Sequence, residues 1–131
     1  NWRSQQSYSA QSTWLFTKTF CPMNLSEYQK KASTTALYPN AGNNLYYPAL
    51  GLGGEVGEVL NKVKKVMRDH GGTVTDEYRE TLRSELGDVL WYVSALAGEL
   101  NLNLDDIAQA NIEKLFSRKE RGTLVGDGDN R

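Results

Sequence analysis

Residues 51–70, GLGGEVGEVLNKVKKVMRDH, and residues 84–100, SELGDVLWYVSALAGEL, decide the fold. Leu52, Val56, Val59, Leu60, Val63, Val66 and Met67 recur at the period of an amphipathic α-helix. Leu82, Leu86, Val89, Leu90, Val93, Leu96 and Leu100 form a second such stripe. Gly71-Gly72 is a natural end for the first helix, and Thr75 a natural N-cap for the second. The connection is therefore short, which predicts an antiparallel pair packed stripe against stripe.

Each helix carries an acidic pair at spacing three, Glu55 with Glu58 and Glu85 with Asp88, and that spacing places both members on one helix face. At about 100° per residue, the first pair lies about 70–130° to one side of its stripe, and the second about 60–120° to the same side of its own. Glu58 stands 13 residues before Gly71 and Asp88 stands 13 after Thr75, so the pairs match in height along the hairpin. Four carboxylates are expected to meet. Like charges gathered beside an apolar seam raise one another's pKa unless a cation neutralises them. Oxygen ligands suit a hard ion, Mg²⁺ or Mn²⁺, which keeps waters that a phosphate can replace. With His70 as the single histidine and Cys21 as the single cysteine, neither a Cys/His zinc site nor a ferritin-like di-iron site can be built. A solvated edge without metal is the competing reading of each pair taken alone.

The chain has 131 residues and a formal net charge of −1, which suits one domain with a modest core and gives no general attraction to nucleic acid or anionic membrane. No apolar run approaches the length of a membrane span. A lone cysteine excludes an internal disulfide framework and fits a reducing, cytoplasmic setting.

Outward from the hairpin, residues 1–22 contain no Asp or Glu, are rich in Ser, Gln and Thr, and have no sustained helical period. They are expected to be an extension, of unassigned role or non-native, ahead of a domain over 23–122. A first helix is predicted over 25–37, capped by Asn24 or Ser26. A loop follows from Tyr38 to Pro48, whose tyrosines and asparagines suit either a nucleobase pocket or simple capping of the core. Gly51, Gly53, Gly54 and Gly57 cost about 1 kcal/mol each in a helix relative to Ala, so a close neighbour or ligand is expected beside them. Lys62 and Lys65 extend the acidic edge, where they either meet a polyphosphate or pair locally with acids. Tyr92, four residues after Asp88, is a candidate substrate contact, whereas Trp91 points elsewhere and is assigned to the core or an oligomer interface. A last helix is predicted over 104–119 with Asn103 as cap and Ala108, Ile112 and Leu115 as its packing stripe. Beside that stripe, Asn111, Lys114, Arg118 and Arg121 either meet phosphate or complement the helix dipole. Residues 123–131 read as a flexible tail.

EVGEV, then LRSELGDVLWYVSALA, then ANIEKLFSRKERG resemble the MazG-like nucleotide pyrophosphohydrolases, an all-α family related to dimeric dUTPases and phosphoribosyl-ATP pyrophosphatase. The resemblance runs from about Asn24 to the C-terminus. It implies an antiparallel bundle of about four helices, assembled as a homodimer or homotetramer, with the active site between helices and partly across subunits. It also implies Mg²⁺-dependent hydrolysis of a nucleoside triphosphate to monophosphate and pyrophosphate. Glu55, Glu58, Glu85 and Asp88 match the family's metal ligands, and Lys62, Tyr92, Asn111, Lys114 and Arg118 fall where such proteins contact substrate. Phosphoribosyl-ATP or dUTP on the same site is the alternative substrate, and a helical oligomerisation module with surface acids is the non-enzymatic alternative.

Overall fold

Four helices and no strands make up residues 22–125, the residues that the computed structural model describes. The expected extension, save Pro22, and residues 126–131 of the expected tail fall outside the described residues.

Helix α1 (Leu25–Ser33) begins with a capping box: the Asn24 side chain accepts the Glu27 N–H at 2.7 Å, and Glu27 accepts the Asn24 N–H at 3.2 Å. It ends four residues short of the predicted 37. The hydroxyls of Ser33, Thr34 and Thr35 donate to the carbonyls three residues back, at 2.9, 2.7 and 2.7 Å, and so compete with the backbone pattern that would continue the helix.

Helix α2 (Tyr46–His70) starts five residues before the predicted Gly51, so Tyr46, Tyr47 and Pro48 belong to it rather than to the loop. Asn44 caps this start by accepting the Tyr47 N–H at 3.2 Å. Pro48 falls in the first turn, where its missing N–H costs nothing, and its ring is fully buried. At the other end Gly71 and Gly72 both take positive φ, 56° and 86°, and both give their N–H to the Val66 carbonyl. Thr75 then caps helix α3 (Asp76–Glu99), accepting the Tyr78 N–H at 3.3 Å. Only residues 71–75 join α2 to α3, and α3 packs mainly on α2 and secondarily on α1.

The wide apolar stripes divide in two. On α2, Val66 is buried and Leu52 and Val59 are half-buried, a line spaced by seven. Val56, Leu60, Val63 and Met67 lie outside it, with Leu60 63% and Met67 70% exposed. On α3, Leu82, Val89, Val93 and Leu96 are half-buried, while Leu86, Leu90 and Leu100 are exposed. A stripe this broad is wider than one neighbouring helix covers, so each helix keeps an outer apolar line open.

Helix α4 (Leu104–Glu120) is capped by Asn103, which accepts the Asp105 N–H at 2.8 Å. It packs on α1 through its first turn. The Ser26 hydroxyl and N–H both donate to the Asp105 carboxylate, and the Gln29 amide bonds Leu102 O at 2.9 Å and Leu104 N–H at 3.0 Å. The expected packing stripe is not buried as such: Ala108 is half-buried, but Ile112 and Leu115 are exposed, and among the described residues α4 packs mainly on α1. No helix among the described residues is long and apolar enough to cross a membrane.

One carboxylate organises the segment between α1 and α2. Glu99, at the end of α3, accepts the Tyr38 hydroxyl at 2.6 Å and the N–H groups of Gly42 and Asn44 at 2.8 Å each. The Tyr38 hydrogen bond, then those of Asn44 and Gly42, hold the Glu99 carboxyl below its usual range. Burial, with the bond and charge of Glu99, pushes the Tyr38 phenol up to about 12. A depressed carboxyl stabilises the fold above its unfolded pKa, about 4.3, and that stability is lost as pH falls through the folded value. A raised phenol stabilises fully below its ordinary value near 10 and loses its contribution as pH rises towards 12. Denaturant unfolding as a function of pH should show the acid loss in wild type and a smaller one in Glu99→Gln, with the variant less stable at pH 7. Parallel acid limbs would contradict this assignment.

Candidate active site

The seam between α2 and α3 fixes where the acids go. Glu55, Glu85 and Asp88 each offer an oxygen within 4.8 Å of the other two. Glu58 is exposed and outside this group. At about 100° per residue, Glu55 and Glu85 sit about 40° from the buried line of their helices, whereas Glu58 and Asp88 each sit about 100° from it. Two groups that far from the seam splay apart, so the cluster holds only one of them. The cation nearest the cluster comes from α2, where Lys62 Nζ lies 3.7 Å from Glu85 Oε1.

The Glu55 carboxyl is raised above its ordinary value, first by partial desolvation and then by the charges of Asp88, Glu85 and Glu58. Such a site is short of positive charge. With Mg²⁺–oxygen distances of about 2.1 Å, neighbouring ligand oxygens of an octahedral ion stand about 3.0 Å apart, so three oxygens within 4.8 Å of one another would draw together on binding it. An all-carboxylate donor set also matches a hard cation.

Above the acids the cleft is aromatic: Trp91 and Tyr92 line it together with Glu55 and Asp88. Room for the Tyr92 ring comes from Gly51, where an added Cβ would overlap it. That accounts for one of the four glycines, since Gly53, Gly54 and Gly57 have nothing within 4 Å of an added Cβ. Burial and Tyr47, then Glu55 and Asp88, raise the Tyr92 phenol. Tyr38 stacks on Tyr47 at 4.7 Å between ring centroids, and Trp91 meets Tyr92 edge-on at 4.9 Å. The Trp91 indole N–H donates to Thr35 Oγ1 at 2.8 Å, which fixes the ring against the end of α1.

Two of these groups escaped the reading by helical period. Trp91 was assigned to packing because it lies about 100° round from Tyr92 on α3, and only the arrival of α1 there turns it into a wall. Tyr28 of α1 has its phenol raised by burial and by the charge of Asp88, and nothing in its local sequence links it to α3. Towards the turn, Lys62 and Lys65 line a cavity of about 430 Å³ with His70 and Tyr78. Asn111, Lys114 and Arg118 do not line the acidic cleft of their own chain: α4 packs on α1, Asn111 and Lys114 are exposed, and Arg118 is buried.

Comparison with known proteins identifies the family. Residues 48–123 match the family model of the MazG nucleotide pyrophosphohydrolase domain. That range contains all four acids and both lysines. The chain is also 50% identical over 114 residues to the Gene 37 protein of Mycobacterium phage L5, covering 83% of this chain and 100% of that protein, whose name carries no activity. No solved structure matches it. A match over more than half the chain, with the acids on adjacent helices, leads to one conclusion: the chain belongs to the MazG nucleotide pyrophosphohydrolase domain family.

Proposed function

We propose that this protein hydrolyses (deoxy)nucleoside triphosphates to the monophosphate and pyrophosphate, with Mg²⁺ or Mn²⁺ as cofactor. The observation that carries this reading is the cluster of Glu55, Glu85 and Asp88, with an oxygen of each within 4.8 Å of the other two and Lys62 beside Glu85. These three carboxylates would hold the ion. Such an ion, when bound, neutralises the polyphosphate and makes water acidic enough to attack phosphorus at neutral pH.

The chain's own groups supply the rest. Either Glu58 or Glu55, one turn apart on α2, would accept the proton of the attacking water. Lys62 and Lys65, on the turn side of the acids, receive the outer phosphates as point charges. Tyr92 closes the opposite side of the cleft. We assign the protein to the cytoplasm, a reading supported by nucleotide substrates and a lone cysteine.

The protein works as a homodimer or homotetramer. Only Val66, Ala97, Leu104 and Pro48 are fully buried apolar residues among the described ones, while Val56, Leu60, Val63 and Met67 form an open line that runs on to Leu86 and Leu90. A second copy is the natural cover for such a line, and it offers a route by which Asn111 and Lys114 reach the acids of a partner. Sedimentation should show a dimer or larger, and Leu60→Glu with Met67→Glu should yield monomer. A monomeric wild type would contradict the assembly.

The activity is tested by pyrophosphate release from a panel of ribo- and deoxynucleoside triphosphates, with and without Mg²⁺. Release should require the ion. Glu85→Gln should lower kcat/KM by about two orders of magnitude or more, several kcal/mol of charge stabilisation being at stake. Folded, oligomeric protein that releases no pyrophosphate from any member would overturn the reading.

A further inference from the structure

A cavity of about 300 Å³ lies between α1, the segment before α2, and α3, and Trp91 is a wall of both this cavity and the acidic cleft. A ligand whose charged part sits at the acids therefore has an adjoining space for a flat group, with Trp91 in its wall.

Two polar groups in that cavity lack a complement. Ser94 lines it at 3% exposure, and its hydroxyl makes no hydrogen bond among the described residues. A buried unpaired hydroxyl costs about 1–3 kcal/mol. Helical hydroxyls usually relieve that cost by donating one turn back, as Thr81 does to the Glu77 carbonyl at 3.0 Å. Ser94 does not. Tyr38, also lining the cavity, has given its single proton to Glu99 at 2.6 Å, so its oxygen has only acceptor capacity left. The Glu99 carboxylate behind it adds negative charge. Such an edge favours an N–H donor and opposes a carbonyl oxygen.

We propose that this cavity is the nucleobase subsite, and that it selects bases with an exocyclic amino group, cytosine or adenine, over their keto counterparts uracil and hypoxanthine. Tyr38 accepts from the amino group, Ser94 donates to the neighbouring ring nitrogen, and Trp91 stacks on the base. The placement of the phosphates at the acids rests on the pyrophosphohydrolase reading.

Calorimetric titration of the full chain with dCMP, dUMP, dAMP and dIMP tests the subsite without metal or turnover. The amino member of each pair should bind at least about tenfold more tightly, since a site built around one edge leaves its buried polar groups unpaired with the wrong one. Ser94→Ala should weaken dCMP and dAMP by about three- to tenfold, while its thermal midpoint holds or rises because an unpaired buried hydroxyl is gone. Equal binding within both pairs, or wild-type affinity in Ser94→Ala, would overturn the proposal. Hydrolysis of triphosphates with no amino preference would sink the subsite and leave the activity standing. Selective binding of dCMP and dAMP with no hydrolysis of any triphosphate would do the reverse.

Discussion

The apolar contact between α2 and α3 holds together three carboxylates that would otherwise move apart. A fully buried aliphatic side chain such as Val66 contributes about 1.5–3 kcal/mol, and half-buried neighbours on both helices add to it. Against that stands the repulsion among Glu55, Glu85 and Asp88, which adds to desolvation in raising the Glu55 carboxyl and which Lys62 relieves at the Glu85 edge. The fold thus keeps an electrostatic deficit in place, and a deficit of positive charge inside a cleft is what a hard cation removes.

The same hairpin sets an order along its length. From the acids towards the turn come Lys62 and Lys65, and away from the turn come Trp91, Ser94 and Glu99. At 1.5 Å per residue, Asp88 to Ser94 spans about 9 Å of α3, the scale of a sugar and base rather than of a phosphate chain. That polarity supports the proposed placement of phosphates on the lysine side and nucleoside on the tryptophan side. Glu99 belongs to the arrangement indirectly: by gathering Tyr38, Gly42 and Asn44 it builds one wall of the cavity next to the cleft.

Much of this was legible in the sequence because it is local. Asn24, Thr75 and Asn103 cap the helices expected of them, and Gly71-Gly72 ends α2, since each acts on backbone within a few residues. The acidic pairs could be placed on one edge of the hairpin because helical period and a short turn fix both rotation and height. What failed depended on competition or on distant chain. Hydroxyls at 33–35 stopped α1 early, and Asn44 started α2 early, against the composition of either stretch. Which part of a broad apolar stripe is inner and which is outer is set by the neighbour's position, and that choice separated Glu55 from Glu58. Trp91, Tyr28 and Ser94 acquire their surroundings only when α1 arrives at α3.

Glu55, Glu85 and Asp88 are proposed as one cation site, with Glu58 outside it. Titration with Mn²⁺, followed by the electron paramagnetic resonance of the free ion, measures this directly in the full chain without nucleotide. Wild type and Glu58→Gln should bind the ion comparably, and Glu55→Gln and Asp88→Asn should each lose about tenfold or more in affinity. Absence of binding in wild type, or equal binding in all four proteins, would contradict the account.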